Sequence, residues 1–304
     1  MEETRIFVLD KEVRTPSENL AINRLCVDLV EHGKYDLLSR IYKHKKGVIL
    51  GSNESAFDIN PDFCLSNGYE IIRRSSGGSA IVVDPELTLC YSIFLKNDFF
   101  GSTLDFNKMY KAVTFSLAKH LGGQFSVEGV YYLRYKTTNG NIPIAGHAIR
   151  SYRKVMQFDG VINKKPFDMN ILERILKLRE LYEFDGRKFI SIDGIFYDIN
   201  GNKVEVDASR AVLLRRERDE LEKIIGLENI GLTETDFVKS FHSMLSDVFG
   251  SVKLVKEIPI EGKDLKVYYD EVIRKDYTDG RKCLGHCFVD LVEEEPLTLY
   301  SVQS

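Results

Sequence analysis

No uninterrupted apolar stretch approaches the length of a membrane span. Runs such as Ile71–Ile72 and Ala80–Val83 stop after a few residues, far short of the about 20 that a spanning helix needs, so no membrane partner is expected. An excess of basic charge is also missing. The 42 Lys and Arg residues are outweighed by 46 Asp and Glu, for a formal charge of -4. Without a global basic field, nucleic acid is not an expected partner. Cysteine is sparse and odd in number: Cys26, Cys64, Cys90, Cys283 and Cys287. Their spacing builds no disulfide framework. Cys283-Leu284-Gly285-His286-Cys287 lacks the further ligands a metal site requires, so no metal site is expected and the thiols read as reduced. With only seven prolines, no Pro/Ser linker divides the chain, and no repeat or low-complexity segment stands out. Met1-Glu2-Glu3 is acidic with no apolar stretch behind it, so neither a signal nor a transit peptide is visible and the expected location is cytoplasmic.

What is present is ordinary globular material. The 304 residues are 43% hydrophobic and 29% charged, enough to bury a core in one large domain or a domain with a smaller companion. Thr15-Pro16-Ser17-Glu18 reads as a capping box with proline at the first helical position. Leu20, Ala21, Leu25 and Leu29 give that helix an inward stripe, and Gly33 stops it. A short strand follows at 47–50. Runs 69–74 and 79–84 read as strands around a glycine turn, and 89–95 as another. Asp105 caps a helix that Gly122-Gly123 ends, followed by strand-like runs 130–135, 142–149 and 154–162. Further on, 170–182 reads as a helix, 189–197 as a strand, 199–202 as a hairpin turn, 208–225 as a charged helix, and 233–250 as a capped helix. The tail 252–291 reads as β-rich, with a soft boundary near 226–232. Strands and helices mix without strict alternation, which points to an α+β protein with a mixed sheet flanked by helices.

Three segments could carry chemistry. In Arg73-Arg74-Ser75-Ser76-Gly77-Gly78-Ser79-Ala80 two arginines leave a strand and meet a glycine turn. Glycines let the backbone approach a ligand and present N–H groups to an anion, and arginine neutralises carboxylate or phosphate. The plain alternative is a hairpin with solvated arginines. In Ala145-Gly146-His147-Ala148 small residues within a strand suit close packing against the backbone, with His147 either a ligand contact or structural. Gly51-Ser52-Asn53 after a strand is, alone, a turn.

Taken in order, these segments resemble the lipoate–protein ligase family, within the biotin and lipoate ligase fold group. Asn19-Leu20-Ala21 stands where the family helix carries Asn-Leu-Ala. Val48-Ile49-Leu50-Gly51-Ser52-Asn53 stands at the Gly-Arg-x-Gln-Asn-like turn. Residues 73–80 stand at the lipoate loop Arg-Arg-x-Ser-Gly-Gly-Gly-Ala, with Asp84 as its following aspartate. Leu89-Cys90-Tyr91-Ser92 and residues 143–148 complete the series. The resemblance covers about residues 15–165. It implies a largely antiparallel central sheet, a lipoate-ligase-like catalytic-type domain over 1–228, and a small accessory domain over 229–304. It also implies attachment of lipoate or octanoate to a lysine of a lipoyl-domain protein through an acyl-adenylate, with ATP and Mg as cofactors. The implied substrate-binding residues are Arg73, Arg74, Ser76, Gly77, Gly78, Ser79, Ala80, Asp84, Ala145, Gly146 and His147, with Gly51, Asn53 and Tyr91 in the surrounding pocket.

The departures fall on the family's catalytic positions. Pro143 stands where the family has the lysine that touches the reacting carbonyl and α-phosphate, and proline has neither charge nor N–H. Val130-Tyr131-Tyr132 replaces Arg-Asn-Asp, Asp159-Gly160 replaces His-Gly, Ser79 replaces the third loop glycine, and Asn23 or Arg24 replaces an acidic residue. Lys136 and Lys154 are the candidate substitute cations, and a second ligase subunit is a further source. The alternatives to the ligase are a non-catalytic paralogue that binds an acyl group or a lipoyl domain, and an ATP-independent octanoyl or lipoyl transferase. The thioester form of the transferase needs an accessible low-pKa thiol, and Cys90, inside an apolar strand, reads as core packing.

Overall fold

The computed structural model describes residues 5–52, 59–101, 105–129, 132–138, 140–192, 194–198, 202–216, 225–258 and 265–269. The first strand, β1 (Arg5–Arg14), leads into α1 (Pro16–Glu31). The capping box forms as its sequence predicts, with Thr15 accepting from the Glu18 N–H and Glu18 reaching back. A cap of this kind is worth about 1 kcal/mol. Then come β2 (Leu37–His44), β3 (Gly47–Leu50), α2 (Pro61–Ser66), β4 (Glu70–Arg73), β5 (Ile81–Val83) and β6 (Thr88–Lys96). After α3 (Phe106–Leu121) follow β7 (Phe125–Glu128), β8 (Tyr132–Thr137), β9 (Gly140–Ser151) and β10 (Val155–Asn163). Next are α4 (Met169–Ile175), β11 (Arg179–Phe184), β12 (Arg187–Ile192), β13 (Ile195–Tyr197), β14 (Lys203–Val204) and β15 (Val212–Arg216). The last described elements are α5 (Glu234–Phe249) and β16 (Lys253–Val255).

Eight strands form the main sheet in the order β16-β1-β2-β6-β10-β9-β8-β7. Only β1 runs parallel to its neighbours β16 and β2. The other pairs are antiparallel, so the fold is the mixed, largely antiparallel α+β arrangement expected. Strands β2 and β6 are buried along nearly their whole length, because helices cover both faces there. On one face α3 and α5 pack Met109, Val113, Leu117, Phe237, Phe241 and Met244 against Phe7, Tyr91, Ile93 and Phe158. On the other, α1 packs Ile22, Cys26, Val27 and Val30 against Ile6, Val8, Leu38 and Phe94. Helix α5 follows residue 228 yet shares the principal core, and β16 extends the main sheet.

A three-stranded sheet, β4-β3-β5, stands beside α2 and α4. Here the structure corrects the hairpin reading of 69–84. Strands β4 and β5 do not pair with each other. β4 is parallel to β3 and β5 antiparallel to it, one on each side. The segment 74–80 therefore crosses over the end of β3.

A five-stranded antiparallel sheet, β14-β13-β12-β11-β15, spans residues 179–216. It overturns two helix expectations. The helix expected over 170–182 ends at Ile175, where Leu176 turns extended and bridges to Ile59, and β11 follows. The charged helix expected over 208–225 is instead strand β15 over 212–216, with 217–224 outside the described residues. Pairing with β11 overrides the helix propensity of the leucines and arginines there. The single strand expected at 189–197 is two strands, broken by a turn at Gly194 (φ +76°). In the β-rich tail, 253–255 is a strand, 256–258 continue it without regular structure and 265–269 is helical; 259–264 and 270–291 lie outside the described residues. Among the described residues, no helix is long and apolar enough to cross a membrane.

Candidate functional site

The crossover 74–80 has little room over β3. A Cβ on Gly51 would lie 1.7 Å from the Gly78 carbonyl oxygen, and Gly78 itself has φ +89°. Both positions require glycine, which is the physical content of two signals that looked like separate turns. The arginines fasten this junction. Arg73 Nη1 donates to the Gly51 carbonyl at 2.7 Å. Arg74 donates to the carbonyls of Ile49, at 3.0 Å, Gly77 and Ser79. Ser52 N–H donates to the Ser76 carbonyl. The guanidinium groups thus hold the loop from within, an arrangement that only a planar five-donor group can make.

Beneath the loop runs a chain of buried polar groups. Asp159 on β10 accepts from Ser76 Oγ (3.0 Å), Ser92 Oγ (2.7 Å) and Gln157 Nε2 (2.8 Å). Burial pushes its carboxyl above the usual carboxylate value. Hydrogen bonds from Gln157, Ser92 and Ser76 and the charge of Arg74 pull it part of the way back. Asn23 on α1 donates to Tyr42 Oη and Ser92 Oγ, and its Oδ1 accepts from Arg40. Arg40, fully buried, also donates to Asn19 Oδ1 (2.7 Å) and Asp10 Oδ2 (3.0 Å). Sequence reasoning missed Arg40, Tyr42 and Gln157, and treated Asp159 only as a lost histidine. Their signal was charged and polar residues inside strands that are otherwise apolar.

Two adjoining cavities lie between this network and β8–β10. One, of about 170 Å³, is lined by Leu20, Asn23, His44, Arg74, Gly78, Cys90, His147 and Asp159, among others. The second, of about 290 Å³, is lined by Pro143, Ala145, Asn163, Phe167, Met169 and Leu172, among others. Ala80, Ile81, Tyr132, Gly146 and Val161 belong to both walls, so the two adjoin. Among the described residues the larger cavity is lined by no Lys, Arg, His, Asp or Glu.

The structure brings together Arg74, Gly78, Ser79, Ala80, Ala145, Gly146 and His147 at these cavities. His147 is buried and its Nε2 meets the Tyr91 hydroxyl. Arg73, Ser76 and Gly51 stand one layer behind, in the loop junction. Asp84 is placed elsewhere. Its Oδ1 accepts the Glu86 N–H, and its backbone exchanges hydrogen bonds with Thr88 Oγ1, so it shapes the turn before β6. Asn53 lies outside the described residues. Pro143 faces the larger cavity. Lys136 and Lys154 have exposed side chains and line neither cavity. Cys90 does belong to the core, as expected, and in addition lines the smaller cavity. Burial pushes its thiol up to about 12, and that of Cys26 likewise to about 12; neither supplies a thiolate near neutral pH.

Among the described residues, the donor set of the larger cavity does not suit a magnesium nucleotide: its wall includes Pro143 and offers only Asn163 and Tyr132 as polar side chains. No group of three His, Cys, Asp or Glu among the described residues could hold a metal ion.

Comparison with known proteins agrees with the fold. The family profile described as the lipoyl protein ligase A/B catalytic domain matches residues 15–193. Among curated relatives, lipoate-protein ligase LplJ of Bacillus subtilis is 31% identical over 94 residues, 31% of this chain and 28% of that protein. Octanoyltransferase LipM of Brevibacillus brevis is 28% identical over 119 residues, 38% of this chain and 42% of that protein. The matched stretches thus span less than half the length of either relative. Among solved structures, the bipartite lipoate protein ligase of Thermoplasma acidophilum, from a study with its E2 lipoyl domain, superposes with TM-score 0.65 at 15% identity. That superposition covers 97% of this chain and 99% of that one. Lipoate-protein ligase A bound with ATP gives TM-score 0.62 at 14% identity, covering 94% and 99%.

Proposed function

Because this chain belongs to the lipoyl protein ligase A/B catalytic-domain family, we propose that it is a lipoate-ligase-like protein. In this reading it binds lipoate or octanoate and serves attachment of the acyl group to a lysine of a lipoyl-domain protein. The observation that carries the reading is the pair of adjoining cavities under the 74–80 crossover. Apolar walls take the hydrocarbon, while Arg74 and the glycine-rich backbone stand at one side for the carboxyl end. Burying an eight-carbon chain supplies binding energy at about 0.8 kcal/mol per methylene.

Activation is the part this chain does not build from its described residues. A carboxylate attacking a phosphate concentrates negative charge, and preorganised cations must offset it. Losing one such donor costs about 3–4 kcal/mol, or about 10²–10³ in rate. Pro143 supplies none, Lys136 and Lys154 are turned to solvent, and the Arg74 guanidinium already holds three backbone carbonyls. In this reading ATP and Mg act only with a second ligase subunit that brings the missing cation. Alternatively the acyl group arrives already activated. Pro143 favours a second reading, a non-catalytic paralogue that holds the acyl group or a lipoyl domain. The test is acylation of a purified lipoyl domain, followed by mass spectrometry, with lipoate and ATP–Mg²⁺ or with an octanoyl carrier protein. Transfer from either donor supports the ligase or transferase reading, and transfer from neither, with lipoate still bound, supports the paralogue.

A further inference from the structure

The two cavities together exceed an eight-carbon substrate. An apolar cavity of about 150 Å³ holds benzene with its six heavy atoms, so on the order of 250 Å³ suits the ten of octanoate, more than the smaller space of about 170 Å³. The adjoining space of about 290 Å³ takes the remainder with room left over, shares the wall residues Gly146 and Val161 with the smaller one, and is lined by no charged side chain among those described. Its floor is Phe167, Met169 and Leu172, and its polar side chains are Asn163 and Tyr132. A carboxylate or phosphate placed there would lose hydration without gaining a cation, which is costly. Hydrocarbon placed there loses nothing and leaves water.

We propose that the adjoining cavities together bind a fatty acyl chain longer than octanoyl, passing along their shared residues, with its tail in the uncharged cavity around Met169 and its carboxyl end on the Arg74 side. This rests on the acyl-binding reading above and names its substrate class. The chain direction follows from charge: the cationic Arg74 lines the smaller cavity, and no charged residue among those described lines the larger. Replacement of the family lysine by Pro143 fits the same picture, because the wall that would face a nucleotide here faces hydrocarbon.

Isothermal titration of the full chain with octanoate, decanoate, dodecanoate and tetradecanoate, and with lipoate, tests this. Affinity is expected to rise about threefold to fourfold per added methylene beyond octanoate until the larger cavity is filled. Met169→Trp, which fills the larger cavity, is expected to abolish that gain, so that affinity no longer rises beyond octanoate. Leu176→Trp, from the same wall, provides the same readout where Met169→Trp fails to fold. Octanoate binding with a flat chain-length series would overturn the long-chain proposal and leave the acyl-binding reading standing. No binding of any carboxylate would overturn both.

Discussion

Ser76 Oγ donates to Asp159 Oδ2 at 3.0 Å, and this bond ties the glycine crossover to the central strand β10. Ser76 is fully buried and Asp159 faces the smaller cavity, so the bond helps set where the loop lies over that cavity. Ser76→Ala leaves a buried carboxylate short of one donor. A loss of about 1–3 kcal/mol in unfolding free energy is expected, measured by urea denaturation, together with weaker octanoate binding.

Asp159 also gives stability a pH dependence. Burial, the largest influence, raises its carboxyl above the ordinary 3.8. A raised carboxyl contributes fully below 3.8, and the contribution is lost as pH rises through the folded-state value. Asp159→Asn removes that slope. Urea titrations over a pH series are expected to show the wild type losing stability relative to the variant as pH climbs from 3.8.

His44 acts with the opposite sign. Burial, followed by the charge of Arg40, lowers its imidazole from 6.5 to about 3, and Asn19 Nδ2 lies against its Nδ1. The unfolded chain takes up the proton first. Stability is therefore lost as pH falls from 6.5 towards about 3. His44→Gln is expected to flatten that acid limb in the same titrations.

The Tyr91 ring lies directly on Gly160. A Cβ there would come within 2.2 Å of Tyr91 Cζ. Gly160→Ala forces the ring, and with it the Tyr91–His147 contact, to move. A cost of about 1–3 kcal/mol is expected from overpacking, seen as a lower denaturation midpoint.

The Cys90 thiol lines the smaller cavity but is raised to about 12, mainly by burial and next by Asp159. It is expected to resist alkylation in the native protein near pH 8 and to react once the chain is unfolded, as peptide mapping will show. Cys90→Ser is expected to leave acyl binding within about twofold. Loss of acyl transfer in that variant would restore the thioester route.

Local signals were legible where the chain solves its problem locally. The Thr15–Glu18 capping box and the helices over 106–121 and 234–249 announce themselves over a few residues, and so does the glycine turn, though not its crossing over β3. The signals failed where pairing across the chain decides. Val212-Leu213-Leu214-Arg215-Arg216 has helix-forming residues, yet β11 claims it as a strand. On spacing alone Arg73 and Arg74 read first as solvated turn residues and second as ligand contacts, and they are neither alone, since their donors brace the end of β3. The Asp159–Ser92–Asn23–Arg40 chain joins four elements far apart in sequence. No spacing rule reaches that far.

The central claim is that this chain keeps the acyl site and lacks its own activating cation. Isothermal titration of the purified protein with lipoate, with and without ATP–Mg²⁺, tests it most directly. Saturable heat from lipoate, unchanged by ATP–Mg²⁺, is the predicted result. No heat from lipoate at millimolar concentration would contradict the acyl site, and tight ATP-dependent product formation by the chain alone would contradict the missing cation.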